Sequence, residues 1–298
     1  MNVSSHTKTG ESHADDRSVW SDCDSEATFG SMLAREYFEE NPWGYAKRFR
    51  FVRELIRTHF VSLPPERLRV LDVGCGNGSF VAMPLAREGY QVVGIDLHLP
   101  SIEHARVLAE RMPNARFLLK NVREIQEGLF DVVILSEVLE HVSDPKSLLL
   151  SSMIHLKRNG IVVVTVPNGY GEFEIDNWLY HKLYLERLMT VGIGIAKRLL
   201  RKSSANHART EVAATDNSDC GHVQFFRLRV LKRLFADCSL NIVRASAGAF
   251  LCGPLICYSI ARWNKFIEWN VRISDRLPLV CASSWYFALR RIHEEDLQ

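Results

Sequence analysis

The stretch VLDVGCGNG, residues 70–78, decides the fold of this chain. It begins with an apolar run that is typical of a buried strand, and Gly74, Gly76 and Gly78 follow at alternate positions. Because glycine has no side chain, the backbone here can turn sharply and approach a ligand closely. Residues 79–87 have the pattern of a helix, whose first N–H groups are free to bind a ligand. We therefore predict a strand, a ligand-binding loop and a helix.

Strands and helices continue to alternate beyond this loop. Short apolar segments are separated by segments of helical spacing, and residues 130–135 are apolar almost without interruption, as in a strand buried on both faces. This alternation predicts an α/β fold with a doubly wound parallel sheet. The predicted strands are 68–73, 91–95, 115–119, 130–135, 161–166, 241–245 and 285–291, and the predicted helices among them are 79–87, 101–111, 145–156 and 225–235.

Asp96 ends the second predicted strand. It lies about 20 residues beyond the glycine loop, where folds of this kind place an acid that accepts hydrogen bonds from ribose hydroxyls. A dinucleotide loop has the pattern G-x-G-x-x-G, but the position of its last glycine is occupied here by Ser79. The residues therefore favour a ligand with one ribose over a dinucleotide.

Four segments, in the right order, resemble the motifs of class I S-adenosylmethionine-dependent methyltransferases. They are 70–80 for the first motif, 94–96 for the second strand, 130–133 for the fourth strand and 157–161 for the entry to the fifth. The resemblance spans about residues 68–170 and returns weakly from His222. It implies a seven-stranded, mostly parallel, Rossmann-like sheet with a reversed last hairpin. It also implies a methyltransferase with S-adenosylmethionine as its cofactor.

The resemblance also implies a set of cofactor-binding residues. The glycine loop would contact the methionine part, Asp96 the ribose, Ser136 the methionine end and Asn121 the adenine. Arg50, on a predicted N-terminal helix, would reach the cofactor carboxylate, with Arg48 as its competitor. The full set is Asp72, Gly74, Cys75, Gly76, Gly78, Asp96, Asn121, Ser136 and Arg50.

A second cluster of polar residues follows the fourth predicted strand, in the run SEVLEHVSDP at 136–145. It resembles the E-x-x-E-H segment of ubiquinone-biosynthesis O-methyltransferases and of RNA 2′-O-methyltransferases that act on RNA 3′ ends. In the RNA enzymes these residues and a downstream histidine hold a divalent metal, and the run GHVQFF at 221–226 is similar to that downstream segment. The resemblance implies Glu137, Glu140 and His141 as catalytic residues. It implies the same three residues with His222 as ligands of a divalent metal such as Mg²⁺.

The chemistry of this cluster leaves three interpretations open. A hydroxyl group must lose its proton as it attacks a methyl group, and a metal ion would favour this by lowering the pKa of the hydroxyl. A neutral histidine could instead take the proton as a general base. A third interpretation gives His141 a structural role only, such as capping the helix that follows.

Composition predicts a domain organisation around one core. We expect a disordered tail at 1–30, an N-terminal helical segment at 31–66 and the cofactor-binding core at 67–171. An aromatic, amphipathic insert at 172–220 would form a lid. The C-terminal part of the same domain, 221–298, would carry a second apolar insert at 249–275.

Charge and cysteine content restrict the partners and the compartment. The net charge is +2 over 298 residues and no basic stripe is present, so nucleic acid is not an expected partner. The seven cysteines are scattered and favour free thiols in a cytoplasmic protein. No apolar run reaches the ~20 residues that a membrane-spanning helix needs. The inserts, at 178–202 and 249–270, predict two alternatives: a lid alone, or a lid that also makes peripheral contact with the inner membrane surface.

The sequence therefore predicts O-methylation of a small lipophilic or lipid-linked acceptor. The aromatic inserts motivate the lipophilic acceptor, and the Glu137–His141 cluster motivates the oxygen atom. Three alternatives stay open at this point. One is a methyltransferase that acts on a glycan or another polar metabolite of cell-envelope biosynthesis, and another is a non-catalytic, membrane-peripheral scaffold that keeps the fold. The third is an RNA 2′-O-methyltransferase, against which the near-neutral charge and the lack of a basic stripe count. The sequence leaves the oligomeric state open.

Overall fold

The structure is a computed structural model that describes residues 40–182, 222–253, 256 and 263–292. The predicted tail at 1–30, the last six residues and most of the insert predicted at 172–220 lie outside the described residues. No helix within the described residues is both long and apolar enough to cross a membrane.

Seven strands form one sheet in the order β3-β2-β1-β4-β5-β7-β6. The strands are β1 Arg69–Val73, β2 Gln91–Asp96, β3 Ala115–Leu119, β4 Phe130–Ser136, β5 Leu156–Pro167, β6 Leu240–Ala247 and β7 Ser284–Arg291. The pairs from β3 across to β5 are parallel, whereas β7 runs antiparallel to both β5 and β6. The predicted seven-stranded, mostly parallel α/β sheet with a reversed last hairpin is confirmed.

Seven helices are described, together with several short 3₁₀ turns. The helices are α1 Tyr45–His59, α2 Ala82–Arg87, α3 Leu99–Leu108, α4 Pro145–Met153, α5 Glu172–Lys182, α6 Leu228–Asp237 and α7 Asn264–Ser274. Helix α1 is the described part of the predicted N-terminal helical segment. Helices α5 and α7 belong to the predicted first and second inserts.

The core has two layers, one on each face of the sheet. Alternate residues of a strand point to opposite faces, so Val70 packs with α1, α2 and α3, while its neighbour Leu71 packs with α4 and α6. Both faces are covered, and for this reason the central strands are apolar throughout. The wrapping of helices around both faces leaves the carboxyl ends of β1, β2 and β4 together at one edge, where open α/β sheets bind their ligands.

The start of β5 differs from the sequence prediction. The helix predicted at 145–156 ends at Met153, and the strand predicted to begin at residue 161 already begins at Leu156. The early part of the strand contains polar residues, and its pairing with β4 shifts in register between Phe130 and Val132. Backbone pairing rather than side-chain alternation holds this part of the strand, so periodicity could not locate it.

The two inserts contact each other where they leave the sheet. Glu172, the first residue of α5, accepts hydrogen bonds from the backbone N–H groups of Cys252 and Gly253 at 2.9 and 3.3 Å. Because Gly253 lies against the side chain of Asp176, a Cβ atom at residue 253 would come within 2.0 Å of that carboxylate. The described parts of the inserts thus meet at the edge that holds the candidate site.

Candidate active site

The glycine loop joins β1 to α2 in a backbone conformation that requires glycine. Gly74, Gly76 and Gly78 have φ angles of 71°, 55° and 76°, in the left-handed region that other residues rarely adopt. Gly74 and Gly78 also lack room for a side chain, since a Cβ atom would come within 2.6 Å of Val138 and 2.5 Å of Phe117. A Cβ atom on Gly76 would meet nothing within 4 Å. The loop therefore has one open face, at Gly76.

Asp96 holds this loop from the end of β2. One oxygen of its carboxylate accepts a hydrogen bond from the N–H group of Gly76 at 2.8 Å, and the other accepts one from His98 at 2.8 Å. The N–H groups of Gly74 and Cys75 both donate to the carbonyl of Ile95. Asp96 therefore lies beside the open face of the loop, where a ribose could reach the remaining lone pairs of its carboxylate.

Asp72 lies beneath the loop as a buried acid. Its side chain accepts a hydrogen bond from the backbone of Ala82 at the start of α2, but its Oδ1 atom has no partner among the described residues. Burial, with a smaller contribution from Asp96, raises the pKa of Asp72 from 3.8 to about 7. Burial likewise raises the pKa of the neighbouring Cys75 thiol well above its ordinary value. Both side chains therefore pack beneath the glycine loop.

The end of β4 turns sharply at Glu137, whose φ angle of 55° is unusual for a residue other than glycine. The turn is fixed by β5, because the N–H group of Glu137 donates to the Thr165 carbonyl and its carboxylate accepts from the Thr165 hydroxyl at 2.8 Å. The hydroxyl of Ser136 lies 3.1 Å from the same threonine oxygen. Thr165 is fully buried inside an apolar strand, and no sequence motif marked it as a site residue.

Arg48, rather than Arg50, reaches this edge of the sheet. Its guanidinium is buried 3.4 Å from the Glu137 carboxylate and lies over the rings of Tyr45 and Tyr286. Arg50 pairs instead with Glu40 at 2.5 Å, and 41% of its side chain is exposed. The helical period could have made this choice, since Arg48 shares the buried face of α1 with Val52 and Leu55.

Glu140, His141 and His222 form a compact cluster beside Glu137. One possible ligand atom from each of the three lies within 4.8 Å of the others, and the two imidazole rings are 5.1 Å apart. Glu140 is 1% exposed, and neither of its carboxylate oxygens has a hydrogen-bond partner among the described residues. Burial raises the pKa of Glu140 well above its ordinary value, and the nearby Glu137 adds to this shift. A buried carboxylate without a partner is costly, so a bound cation or proton is expected here.

Backbone hydrogen bonds bring His222 to the cluster. The N–H groups of Val223 and Gln224 donate to the carbonyl of Glu140 at 2.8 and 2.9 Å, and the Gln224 side chain donates to the Ser143 carbonyl. Burial, followed by the proximity of His141, lowers the pKa of His222. At neutral pH this imidazole is therefore mainly neutral and can accept a proton or bind a metal.

The predicted metal ligands separate into two groups. Glu140, His141 and His222 lie together, while Glu137 faces Thr165 and Arg48 and is not part of the described cluster. Atoms bound to one ion at roughly 2.1 Å lie about 3–4 Å apart, so small side-chain movements would bring the three donors to one ion. One carboxylate and two imidazoles suit Mn²⁺ or Zn²⁺ better than Mg²⁺, which prefers oxygen ligands.

Asn121, which the sequence predicts to face the adenine, makes a local structural contact. Its side chain accepts a hydrogen bond from the backbone N–H group of Arg123, and its own backbone N–H group donates to the Glu124 carboxylate. This capping box closes the 3₁₀ turn Val122–Glu124 after β3. The side chain is exposed at the edge of the sheet that carries the loop, so a ligand could still reach its amide.

Comparisons with known proteins show the family of the chain. Over residues 45–245, more than half of the chain, it matches the model of a family described as a methyltransferase domain. It is 35% identical over 123 residues to the ubiquinone biosynthesis O-methyltransferase of Rickettsia typhi, and 34% identical over 128 residues to that of Maricaulis maris. Each match covers 41% of this chain and 49% or 50% of the relative, so the chain spans about half the length of these curated relatives.

Solved structures share the fold at low identity. PKMT2 from Rickettsia typhi, in complex with AdoHcy, is similar with a TM-score of 0.51 and 19% identity, over 84% of this chain and 54% of that one. The [4+2]-cyclase SpnF is similar with a TM-score of 0.50 and 14% identity, over 89% of this chain and 92% of that one. Proteins with this fold thus include one named for a different reaction, so chemistry has to be argued from the site.

Proposed function

We propose, since the chain belongs to the methyltransferase-domain family, that it transfers the methyl group of S-adenosylmethionine to a hydroxyl oxygen of a small lipophilic or lipid-linked acceptor. The open glycine loop beside Asp96 supports the cofactor, and curated relatives named as O-methyltransferases support oxygen as the acceptor atom. The single observation that carries the hydroxyl acceptor is the buried Glu140 carboxylate beside His141 and His222.

The proposed reaction is a direct displacement. The acceptor oxygen attacks the methyl carbon while the bond from that carbon to sulfur breaks, which yields a methyl ether and S-adenosylhomocysteine. In the absence of a bound metal, the hydroxyl proton passes to His222, whose lowered pKa suits the role of a base. If the histidines bind a metal ion instead, the proton passes to solvent. Gly76 and Asp96 would hold the cofactor at the loop. Arg48, held between Glu137 and two aromatic rings, would attract the carboxylate of its methionine part.

Cofactor binding is tested by calorimetry with S-adenosylmethionine. The wild-type chain should bind it, and Asp96→Ala should weaken binding about a hundredfold because the ribose contact and the brace on Gly76 are lost together. Glu103→Ala is the matched control, since it removes an exposed acid from α3, the helix that follows β2. Failure of the wild type to bind the cofactor would reject the enzyme and favour the non-catalytic scaffold.

We further propose that Glu140, His141 and His222 hold a divalent metal ion. The fit rests on the donor set and on the buried carboxylate, whose oxygens accept no hydrogen bond from the described residues. When bound, the ion would lower the pKa of the acceptor hydroxyl. His141 and His222 would bind it through neutral nitrogens, and Glu140 would supply negative charge.

Metal binding has a readout that does not depend on activity. Mn²⁺ titrated into the protein should lose its free-ion electron paramagnetic resonance signal, and Glu140→Gln or His222→Ala should abolish that loss. His59→Ala is the control, because His59 lies at the far end of α1 against Asn159. If Mn²⁺ and Zn²⁺ both fail to bind, and chelation leaves activity unchanged, the histidines act as a base without metal.

We propose peripheral membrane contact through α7, the described part of the insert predicted to contact lipid. One side of α7 buries Ile267 and Val271, while the opposite side exposes 49% of Trp269. Trp263, which immediately precedes the helix, exposes 70% of its surface. Phe266 contacts Trp269, Lys265 is an exposed cation on the same side of α7, and Arg276 is an exposed cation just beyond its end. Tryptophan beside lysine and arginine is typical of helices that lie at an anionic lipid surface. The remainder of the predicted surface, 183–202, lies outside the described residues.

Liposome flotation tests this contact. The protein should float with vesicles that contain phosphatidylglycerol, less with purely zwitterionic vesicles, and Trp269→Ser should reduce the bound fraction several-fold. Val243→Ser is the control, since it removes an equally exposed apolar side chain from β6. Equal flotation of both variants and the wild type would contradict the proposal.

A further inference from the structure

An exposed apolar wall extends from the histidine cluster to the end of β5. Val223 and Phe225 follow His222 directly and expose 58% and 49% of their surface, and Tyr170, just beyond β5, exposes 57%. The rings of His222 and Phe225 are 6.0 Å apart. Exposed apolar groups this close to the proposed chemistry are suited to contact the body of an acceptor.

This wall is held firmly against the sheet. The N–H group of Gly169 donates to the carbonyl of Phe226 at 3.2 Å, and Phe225 packs so closely on Gly169 that a Cβ atom there would come within 2.6 Å of its backbone. At its other end the segment is tied to Glu140 through Val223. The side chains on the wall therefore keep a fixed position relative to the histidine cluster.

The wall ends in a cation. The guanidinium of Arg227 lies 4.3 Å from the centre of the Tyr170 ring, and the residue is exposed. Within the described part of the chain it makes no salt bridge, in contrast to Arg48, which pairs with Glu137. Stacking of the flat guanidinium on a ring fixes its plane and leaves its edge N–H groups available for an anion, which they can bind in a bidentate manner.

We infer that the acceptor carries an anionic group, a carboxylate or a phosphate, which Arg227 binds. The apolar body of the acceptor would lie on Val223 and Phe225, with its hydroxyl at the His222 end of the wall. The inference rests on the proposed function only for the fate of that hydroxyl. The anion site itself depends on Arg227 and Tyr170.

Calorimetry with three small probes tests the anion site. Para-hydroxybenzoate should bind the wild type about tenfold more tightly than its neutral isostere para-hydroxybenzamide, through one charge-assisted contact. Arg227→Gln should remove this preference, and Arg227→Lys should keep part of it. Arg229→Gln should leave it unchanged, because Arg229 is also an exposed cation but lies inside α6, whereas Arg227 precedes the helix in an extended conformation. Phenyl phosphate shows whether a phosphate or a carboxylate is the better group.

Three results would overturn the inference. They are the absence of binding by para-hydroxybenzoate to the wild type, equal affinity for the acid and the amide, and a preference that survives in Arg227→Gln. The same variants are assayed with S-adenosylmethionine present. If the wild type prefers para-hydroxybenzoate but methylates neither probe, the anion site is supported and the proposed function is rejected. If it methylates both para-hydroxybenzoate and para-hydroxybenzamide and binds them equally, the proposed function is supported and the anion site is rejected.

Discussion

At the residue scale, the site is built from buried charges that are compensated to different degrees. Arg48 and Glu137 neutralise each other across 3.4 Å, and two aromatic rings surround the guanidinium. Asp72 and Glu140, by contrast, are buried with oxygen atoms that lack a partner among the described residues. Such groups persist where they serve binding or chemistry, because burial of an unpaired charge lowers stability.

Replacement of Asp72 should make folding stability less dependent on pH. In the folded protein the pKa of Asp72 is about 7, against 3.8 for the free side chain, so the folded state binds more protons between these values. Stability contributed by the protonated acid is therefore lost as pH rises from about 4 to above 7, by up to roughly 4 kcal/mol. Asp72→Asn keeps an acceptor for the Ala82 N–H group and cannot ionise.

The measurement is urea denaturation at a mildly acidic pH and at about pH 8. Asp72→Asn should be more stable than the wild type at the higher pH and similar to it at the lower one. Asp131→Asn is the control: Asp131 is also buried, but Lys157 pairs with it at 2.8 Å. If the free energy of unfolding falls by the same amount between the two pH values in the wild type and in Asp72→Asn, the assignment to Asp72 is wrong.

Arg48 and Arg50 should differ strongly in their effect on cofactor affinity. Arg48→Gln removes a buried cation and leaves Glu137 unpaired, and we expect the Kd for S-adenosylmethionine to rise about a hundredfold. Arg50→Gln, which removes a half-exposed cation, should change it less than about threefold. Calorimetry measures both, and circular dichroism verifies that each variant is folded. If both variants raise the Kd by the same factor, Arg48 has no special role, and Arg50 is again a candidate for binding the cofactor carboxylate.

At the scale of elements, the turn from β1 to α2 requires glycine for two different reasons: a left-handed backbone conformation and the lack of space for a side chain. Gly74 needs both a left-handed conformation and the absence of a side chain, because Val138 fills the space beside it. Gly76 needs the conformation only, since its open face has no neighbour within 4 Å. The same loop therefore contains one position fixed by packing and one that is open toward the ligand.

Alanine substitutions should separate these demands. Gly76→Ala should lower the free energy of unfolding by about 1 kcal/mol, the cost of a left-handed alanine. Gly74→Ala adds a clash with Val138 and should cost about 3 kcal/mol in total. Val138→Ala in the Gly74→Ala background should recover part of this loss, and a double-mutant cycle measures the coupling. Additive effects of the two changes would rule out the clash.

Strands that are marked by apolar residues could be predicted from the sequence. Segments that are held in place by backbone hydrogen bonds, without an apolar pattern, could not. The prediction of β3 at 115–119 matches the structure, and β1, β2 and β4 are within one residue at each end. The three inner strands are rich in apolar residues because both of their faces are buried, whereas the edge strand β3 alternates buried and exposed residues. The first residues of β5 are polar and were missed. At the site, motifs identified the loop and the Glu140–His141 pair, but the turn at Glu137 depends on Thr165 of another strand, which no local pattern reveals.

At the scale of the whole molecule, Lys47 joins parts of the chain that are far apart in sequence. From α1 its ammonium group donates to the carbonyls of Gly248 and Val271 and to the Ser274 hydroxyl, and it pairs with Asp275 at 2.6 Å. Burial is the main cause that lowers the pKa of Lys47. One side chain thus holds the N-terminal helix and α7 on the same side of the sheet.

Loss of this link should destabilise the whole domain. Lys47→Met removes the donor of a carboxylate and of two carbonyls, and the single Ser274 hydroxyl can serve only one of these carbonyls at a time. We expect the free energy of unfolding to fall by about 2–4 kcal/mol. Lys265→Met, on the exposed side of α7, should change it by less than about 0.5 kcal/mol. Denaturant unfolding of both variants gives the comparison, and equal stabilities would show that Lys47 is not a structural link.

The position of β7 has a consequence for biosynthesis. Among the described strands it is the last in sequence, yet it pairs with β5 through Val162 and Leu289 and with β6 through Ile242 and the same leucine. On the ribosome, β5 and β6 therefore emerge before β7, the strand that lies between them in the sheet. Until residues 284–291 have been translated, β5 has an open, apolar edge. The nascent chain cannot add β6 to the sheet until β7 has been synthesised. A ribosome that stalls before Ser284 would release an aggregation-prone product and not a shortened enzyme.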